Sequence, residues 1–188
     1  NDCWMKIEIY LKRETHFGDP KVRCTIDENA AFYDGASMDY ISADLGVTPG
    51  FHELLITHYG KRDEDHVIEQ GKIAVDKHIE IERIIIDDIE FKIEELRQGH
   101  FYPVYNENYV RDCRRKGITL PPSISPNLYL GHNGTWKLSF HTPFIDYIIN
   151  KRKNLTVQLE NSIFQSDVEL MQEAKQWFQA APDIEWKV

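Results

Sequence analysis

Hydrophobic and polar residues alternate with a period of two along the first strand-like segment. In WMKIEIYLK, residues 4–12, apolar side chains occupy every second position, which is typical of a strand with one buried face. KVRCTI, residues 21–26, repeats this pattern. Pro49-Gly50 predicts a turn, and a further strand follows over residues 51–58. The pattern therefore predicts several short strands, each with one face towards a core.

The stretch HIEIERIIIDDIEF, residues 78–91, changes from alternating to continuously apolar. This change predicts a strand that passes from half-buried to fully buried. Asp87 and Asp88 then allow two interpretations. They make a two-residue hairpin turn, because Asp tolerates left-handed backbone, with IEFKI as the returning strand; or they hold a metal ion.

The last third of the chain predicts one more hairpin and then helices. Asn133-Gly134 is a strong hairpin-turn signal. Thr142-Pro143 predicts the start of a short helix. SDVELMQEAKQWF, residues 166–178, has the spacing of an amphipathic helix with a capping box at its start.

Short strands at regular spacing, followed by helices, define the expected fold. We predict a mainly β protein, a jelly-roll-like antiparallel β-sandwich with a short helix and a C-terminal amphipathic helix. The sandwich is expected over residues 1–141 and a helical appendage over residues 142–188. Residues 97–127, rich in aromatic, polar and proline residues, are predicted to form a long excursion, and such loops often carry function.

Composition and charge narrow the class of function. The chain has 188 residues, 41% of them hydrophobic, which supports a packed core rather than disorder. A net charge of −9 argues against nucleic acid as a partner. No apolar run is long enough to predict membrane insertion. The three cysteines form no CxxC pair, which indicates reduced thiols and a reducing cytoplasm.

Acidic residues in the predicted loops are candidates for a calcium site. Calcium takes six to eight oxygen ligands, several of them carboxylates on loops. The candidate ligands are Asp63, Asp65, Asp76 and Asp87. No EF-hand pattern surrounds them, and the alternative is a solvated acidic loop.

Aromatic residues in and after the excursion are candidates for a ligand surface. Rings stack on sugar faces, while neighbouring Asn and His can hydrogen-bond hydroxyl groups. The candidate ligand-binding residues are Phe101, Tyr102, Tyr105, Tyr109 and Trp136. The alternative is ordinary core packing or an oligomer interface, where Tyr and Trp are also common.

Catalysis has weak support, and we predict that the protein is not an enzyme and has no catalytic residues. No GxSxG, HExxH or P-loop motif is present. His52 with Glu53, and His141 with Asp146, allow acid–base roles. Paired carboxylates for glycoside hydrolysis stay open, since a chain with 31 acidic residues contains many candidate pairs.

Three segments together carry a resemblance to known proteins. PGFHELLITHYGK, IAVDKHIEIERIIIDDIEF and YLGHNGTWKLSFHTPFIDYII, in this order, resemble a group of uncharacterised, cyanophage-like tailed-phage proteins. This resemblance covers roughly residues 46–150 and implies a virion-associated protein. A fainter similarity, in the strand 50–56, the acidic loop and residues 79–91, is to calcium-dependent xylan-binding modules. It implies calcium as cofactor and a sugar ligand.

The resulting prediction is a non-enzymatic phage structural or virion-associated β-sandwich protein. We expect it to bind a host-surface glycan or a neighbouring virion protein, to form a homo-oligomer, and to be found in the virion or in the host cytoplasm during assembly. The alternatives are a polysaccharide hydrolase with paired carboxylates and a soluble factor for tail or fibre assembly.

Overall fold

The computed structural model describes residues 3–70, 72–154, 156–158, 165, 168, 169 and 172. The chain divides into two compact units, Asn1–Ile145 and Asp146–Val188. The strands lie in the first unit. They are β1 (Cys3–Arg13), β2 (Lys21–Ile26), β3 (Tyr33–Ala36), β4 (Tyr40–Val47), β5 (Gly50–Tyr59), β6 (His66–Glu69), β7 (Lys72–Asp76), β8 (Ile79–Ile86), β9 (Ile89–Glu90), β10 (His100–Val104), β11 (Tyr129–Leu130) and β12 (Asn133–Thr142). Between the strands lie the helices α1 (Ile93–Leu96) and α2 (Glu107–Arg115).

The strands form two antiparallel sheets and a separate hairpin. Sheet A has the order β11-β8-β1-β4, with β9 paired to β8. Sheet B has the order β10-β12-β5-β2-β3, and β6 pairs with β7 in a two-stranded sheet. Successive long strands alternate between the sheets, so that β1, β4 and β8 lie in sheet A while β2, β5 and β12 lie in sheet B. The predicted mainly β, antiparallel sandwich is confirmed.

The core follows the period-two pattern of the sequence. In β1 the buried residues are Met5, Ile7, Ile9 and Leu11. In β12, Trp136, Leu138 and Phe140 are buried, and polar residues alternate with them. Each fully buried aliphatic or aromatic side chain contributes about 1.5–3 kcal/mol to stability. The apolar faces of the two sheets therefore account for the fold.

Asp87 and Asp88 form the predicted hairpin turn between β8 and β9. Both have left-handed backbone, with φ of 49° and 62°. The Asp87 N–H donates to the Lys6 carbonyl at 3.0 Å. The Lys6 N–H in turn donates to Asp87 Oδ1 at 2.9 Å. The predicted returning strand IEFKI is shorter than expected, because residues 93–96 form α1 instead.

The predicted excursion, residues 97–127, contains regular structure. It includes β10, which pairs with β12, and α2. Phe101 and Ile124 exchange backbone hydrogen bonds at 3.0 and 2.8 Å, which fastens the far end of the excursion to sheet B. The excursion is therefore packed onto the sandwich.

Residues 144–154 are helical, in agreement with the helix predicted after Thr142-Pro143. The second predicted helix, 166–178, lies mostly outside the described residues; of it, residues 168, 169 and 172 are described, as helical. Within the described part of the chain, no helix combines the length and the apolar character needed to span a membrane.

Candidate functional site

Two of the aromatic residues predicted to bind a ligand belong to the core. Phe101 is 1% exposed and Trp136 is 0% exposed. A Cβ atom at Gly99 would lie 2.3 Å from the Trp136 ring, so the backbone closes directly over the indole. Since neither ring presents a face to solvent, the structure assigns both residues to packing instead.

Tyr102 lies on the outer face of sheet B. It neighbours Phe101 in β10, and because side chains alternate along a strand it points away from the core. Its ring is 44% exposed. The Lys137 ammonium group lies 5.7 Å from the ring centroid, a cation–π distance.

Tyr105 and Tyr109 form an exposed aromatic cluster with His132, which we call the tyrosine cluster. The two tyrosine rings stack, with centroids 5.9 Å apart and planes at 28°. The His132 ring lies 5.1 Å from Tyr105 and 5.3 Å from Tyr109. Tyr109 is 41% exposed, so one side of the cluster is open to solvent.

Two hydrogen bonds near the start of α2 position Tyr105 and Tyr109. Asn106 is the N-cap of α2, and its Oδ1 accepts the Tyr109 N–H at 2.7 Å. The Tyr105 hydroxyl donates to the Pro121 carbonyl at 2.9 Å, which fixes the ring against the end of the excursion. The N-cap therefore positions Tyr109 and the Pro121 contact positions Tyr105, so that the two rings meet.

Asp76 lies at the centre of a polar group beside the tyrosine cluster. Its carboxylate pairs with the Lys61 ammonium group, which also donates to the Gly131 carbonyl next to His132. The Tyr129 hydroxyl donates to Asp76 Oδ2 at 3.2 Å. The Tyr129 and His78 rings lie 4.5 Å apart. Asp76 and Lys61 are thus half-buried and paired with each other, and the Gly131 carbonyl connects this pair to the chain segment that carries His132.

Asp63 lies on the other side of the tyrosine cluster. Its Oδ2 accepts a hydrogen bond of 2.9 Å from Asn108, the residue before Tyr109 on α2. Of the residues predicted from the sequence, the structure therefore brings Tyr105, Tyr109, Asp63 and Asp76 into one region. The sequence analysis did not select Tyr129, His132 or Lys61. The HNGTW segment offered a signal only for His132, as a polar neighbour of the turn.

Asp65 is buried and paired inside the protein. Its carboxylate accepts the Arg62 N–H at 3.0 Å and the Lys77 ammonium at 3.2 Å. Burial works to raise the pKa of Asp65, but these hydrogen bonds and the Lys77 charge outweigh it and lower the pKa overall. Asp65 is therefore an ionised partner of Lys77.

The four aspartates predicted to bind calcium are not gathered into one group. Among the described residues, no cluster of three or more His, Cys, Asp or Glu side chains is placed to hold a metal ion. Asp87 lies at the β8–β9 turn, while Asp65 and Asp76 are each paired with a lysine. Calcium binding by these residues stays a prediction.

Burial favours the uncharged form of the site's aromatic groups, a form that the tyrosines already have at neutral pH. It raises the pKa of Tyr129 to about 12, with a further contribution from the Asp76 charge. Burial also raises the pKa of Tyr105 and of Tyr109. The pKa of His132 is lowered by burial and by the nearby Lys61 charge. The rings can therefore stack on a neutral ligand, while the hydroxyl groups of Tyr105 and Tyr129 donate to acceptors within the protein.

His52, a sequence candidate for acid–base chemistry, is held in a structural contact. Its Nδ1 lies 2.5 Å from Asp27 Oδ2 and its Nε2 lies 2.7 Å from the Thr48 carbonyl. The Thr142 hydroxyl, 3.1 Å from Nε2, donates to the same carbonyl at 2.9 Å. Each ring nitrogen thus lies within hydrogen-bond distance of an oxygen atom from another segment of the chain. This arrangement fastens three chain segments together.

No family model matches the chain, and no curated protein matches it. Two solved structures of vCBM60, a calcium-dependent carbohydrate-binding module, do match. For the selenomethionine form, the identity is 9%, the match covers 71% of this chain and 89% of vCBM60, and the TM-score is 0.44. For the complex with galactobiose, the identity is 12%, the coverage is 74% and 98%, and the TM-score is 0.37.

The matched protein belongs to the broad class to which the sequence has its fainter similarity, the calcium-dependent carbohydrate-binding modules. At identities and TM-scores this low, the likeness assigns neither a ligand nor a metal to this chain. The comparisons do not bear on a phage origin or on virion partners, and both stay predictions.

Proposed function

We propose that the protein is a non-catalytic carbohydrate-binding domain and that the tyrosine cluster is its ligand surface. The observation that carries this proposal is the stacked, solvent-open pair Tyr105 and Tyr109 beside His132. Aromatic faces pack against the C–H face of a pyranose ring, and such contacts favour exposed Tyr and Trp. A sugar ring stacked on Tyr109 would cover aromatic surface that is now exposed to water.

Polar groups at the edges of the cluster supply hydrogen bonds for hydroxyl groups. Asn108 with Asp63 lies on one side, and Tyr129 with Asp76 lies on the other. Carboxylates accept from sugar hydroxyls, and the same carboxylates would repel an anionic sugar. Because the chain also carries a net charge of −9, we infer a neutral oligosaccharide rather than a uronic-acid or sulfated one.

The experiment that tests the proposal is titration calorimetry with neutral oligosaccharides chosen from a glycan array. Tyr109→Ala should weaken binding by about tenfold or more, the usual effect of truncating an aromatic residue at the centre of a site. Tyr102→Ala is the matched control, because Tyr102 is 44% exposed and Tyr109 is 41% exposed. Equal losses in the two variants, or no neutral sugar bound by the unaltered protein, would overturn the proposal.

Calcium dependence is tested in the same titration. Binding is measured with calcium and with a chelator, and the Asp76→Asn variant is compared in both conditions. If calcium binds at the predicted aspartates, chelation weakens sugar binding in the unaltered protein and has a smaller effect in Asp76→Asn. If calcium has no role there, the chelator changes neither protein.

Association with a phage particle is a separate proposal, and it is supported by the resemblance of the three sequence segments alone. Mass spectrometry of purified particles and of the infected lysate distinguishes a virion component from an assembly factor. A virion component is found in both samples, whereas an assembly factor is found only in the lysate.

A further inference from the structure

His58 is a polar residue on the buried face of β5. The inward positions before it, Leu54 and Ile56, are apolar and buried, as alternation along the strand requires. His58 continues this row and is 0% exposed. A buried polar group costs free energy unless it is hydrogen-bonded. The hydrogen bonds of His58 therefore indicate why a histidine stands at this position.

The His58 ring holds the chain between β11 and β12. Its Nδ1 lies 2.9 Å from the Leu130 carbonyl oxygen and 3.0 Å from the His132 carbonyl oxygen. Because carbonyl oxygens only accept, Nδ1 carries the proton and shares one N–H between them. Nε2 is buried and has no hydrogen-bond partner within the described residues. Burial lowers the pKa of His58, so the ring is neutral at neutral pH, with its single proton on Nδ1.

Lys61, three residues further along, holds the same piece of chain. Its ammonium group donates to the Gly131 carbonyl. Its backbone N–H donates to Asn133 Oδ1, and Asn133 Nδ2 donates to the Lys61 carbonyl, both at 2.9 Å. The carbonyls of residues 130, 131 and 132 thus all accept hydrogen bonds from the side chains of His58 and Lys61. We call residues 130–133 the clamped segment.

The clamped segment carries the ring of His132 into the tyrosine cluster. That ring lies 5.1 Å from the ring of Tyr105 and 5.3 Å from that of Tyr109. The strand before the segment, β11, is only two residues long, so side chains supply much of the support. A Cβ atom at Gly131 would lie 2.4 Å from the Tyr129 ring, so the segment is also closely packed on that side. The place of His132 therefore depends on contacts made by the segment's backbone.

We propose that His58 is a positioning residue for the sugar site, which fixes the clamped segment and thereby holds the His132 ring against Tyr105 and Tyr109. This inference rests on the proposed function of the tyrosine cluster. A ligand surface that is already in place binds more tightly than one that is ordered at binding, because affinity falls with the fraction of molecules in the competent arrangement. Loss of the shared N–H should therefore weaken sugar binding, although His58 itself does not contact the ligand.

The test compares two substitutions of almost the same shape at residue 58. His58→Asn keeps an N–H donor in the place of Nδ1, since both nitrogen atoms are bonded to Cγ. His58→Leu has the same branching as Asn but no donor. In the calorimetric titration with a neutral oligosaccharide, His58→Leu should bind about three- to tenfold more weakly than His58→Asn, the equivalent of one lost hydrogen bond. Equal affinities of the two variants would overturn the proposal.

NMR spectroscopy of His132 gives a readout that needs no sugar. The rings of Tyr105 and Tyr109 shift the ring-proton resonances of His132, which are assigned by their absence in His132→Gln. These resonances should keep their positions in His58→Asn and should move in His58→Leu. Unchanged resonances in His58→Leu would overturn the proposal. If the unaltered protein binds no neutral sugar, the proposed function fails, while the resonances still decide whether His58 positions His132.

Two further measurements guard against a variant that does not fold. His58→Gln takes the place of His58→Leu in that case, because its amide nitrogen lies one bond further from the backbone than Nδ1 and should also move the His132 resonances. In the unaltered protein, the ¹⁵N chemical shifts of the His58 ring should show the proton on Nδ1 at neutral pH. A proton on Nε2 would contradict the shared hydrogen bond and overturn the proposal.

Discussion

Two pairs of aromatic residues look alike in sequence but lie in different environments: Phe101 and Trp136 are buried, whereas Tyr105 and Tyr109 stack at the start of α2. Phe101 and Trp136 lie on strands, at positions where alternation directs them into the core. Tyr105 precedes the N-cap of α2 and is held by its hydrogen bond to Pro121, whereas Tyr109 lies in the first turn of α2; the two rings stack and Tyr109 is exposed. The comparison teaches that the surrounding secondary structure, rather than aromatic content, decides which rings are open to a ligand.

The largest effect expected from this comparison is on stability. Trp136→Ala should lower the free energy of unfolding by about 3–5 kcal/mol, because it removes a large side chain from the core. Tyr109→Ala should change it by less than about 0.5 kcal/mol, as an exposed substitution. Urea denaturation of the two variants measures both values. Similar losses would mean that Tyr109 also belongs to the core.

Two aspartates of one loop allow a buried charged group to be compared with an exposed one. Asp65→Asn leaves Lys77 buried without its anion, and we expect a loss of about 3 kcal/mol. Asp63→Asn, two residues earlier, removes an exposed carboxylate and should cost less than about 0.5 kcal/mol. Thermal unfolding compares the variants. An Asp65→Asn protein as stable as Asp63→Asn would show that the buried pair does not stabilise the fold.

A pH series tests how burial of His58 in the core affects the stability of the protein. Burial lowers the pKa of His58 to about 4, so the folded protein keeps this ring neutral where the unfolded chain, near 6.5, is protonated. Stability should therefore fall as the pH is lowered from 6.5 towards 4, by about 3 kcal/mol in total. Urea denaturation at several pH values measures this slope. In His58→Asn the slope should be shallower, and an unchanged slope would assign it to other groups.

Among the substitutions expected to destabilise the fold, Tyr105→Phe should have the smallest effect. Tyr105→Phe removes the hydrogen bond to the Pro121 carbonyl and keeps the ring face. We expect a loss of about 0.5–1.5 kcal/mol in stability and unchanged sugar affinity. Unfolding and calorimetric titration of the same variant separate the two. A large loss of affinity would mean that the hydroxyl group, rather than the ring, contacts the ligand.

Local pattern in the sequence predicted much of the sandwich. Alternation in WMKIEIYLK and NGTWKLSF, and the turn residues at 87–88, gave strands and a reversal that the structure contains. The hairpin turn predicted at Asn133-Gly134 is wrong, because both residues lie within β12 and pair with β10, while β11 belongs to the other sheet. The same alternation directs Trp136 inward, whereas residue type alone suggested a surface. The segment after Phe91 became α1 because the Glu95 carboxylate accepts the Lys92 N–H at 2.7 Å, a local contact that favours a helix start.

The candidate site could be predicted only in part. Tyr105 and Tyr109 are close in sequence, and their grouping follows from local spacing. His132 reaches them from the β11–β12 connection, and Lys61 reaches Asp76 from the end of β5. These contacts depend on how the two sheets and the excursion pack together. A pattern of local periods does not contain that information.

The turn at Asp87 and Asp88 makes two neighbouring, identical residues unequal. Asp87 takes part in sheet A through its side chain, which accepts the Lys6 N–H, whereas Asp88 supplies a left-handed backbone and an exposed charge. A library randomised at both positions and selected for folded protein should return mainly Asp or Asn at 87. At 88 it should return Gly and Asn more often than Asp. Both positions require a left-handed backbone, but Asp87 adds a hydrogen bond within sheet A, whereas Asp88 adds only an exposed ion pair with Lys6.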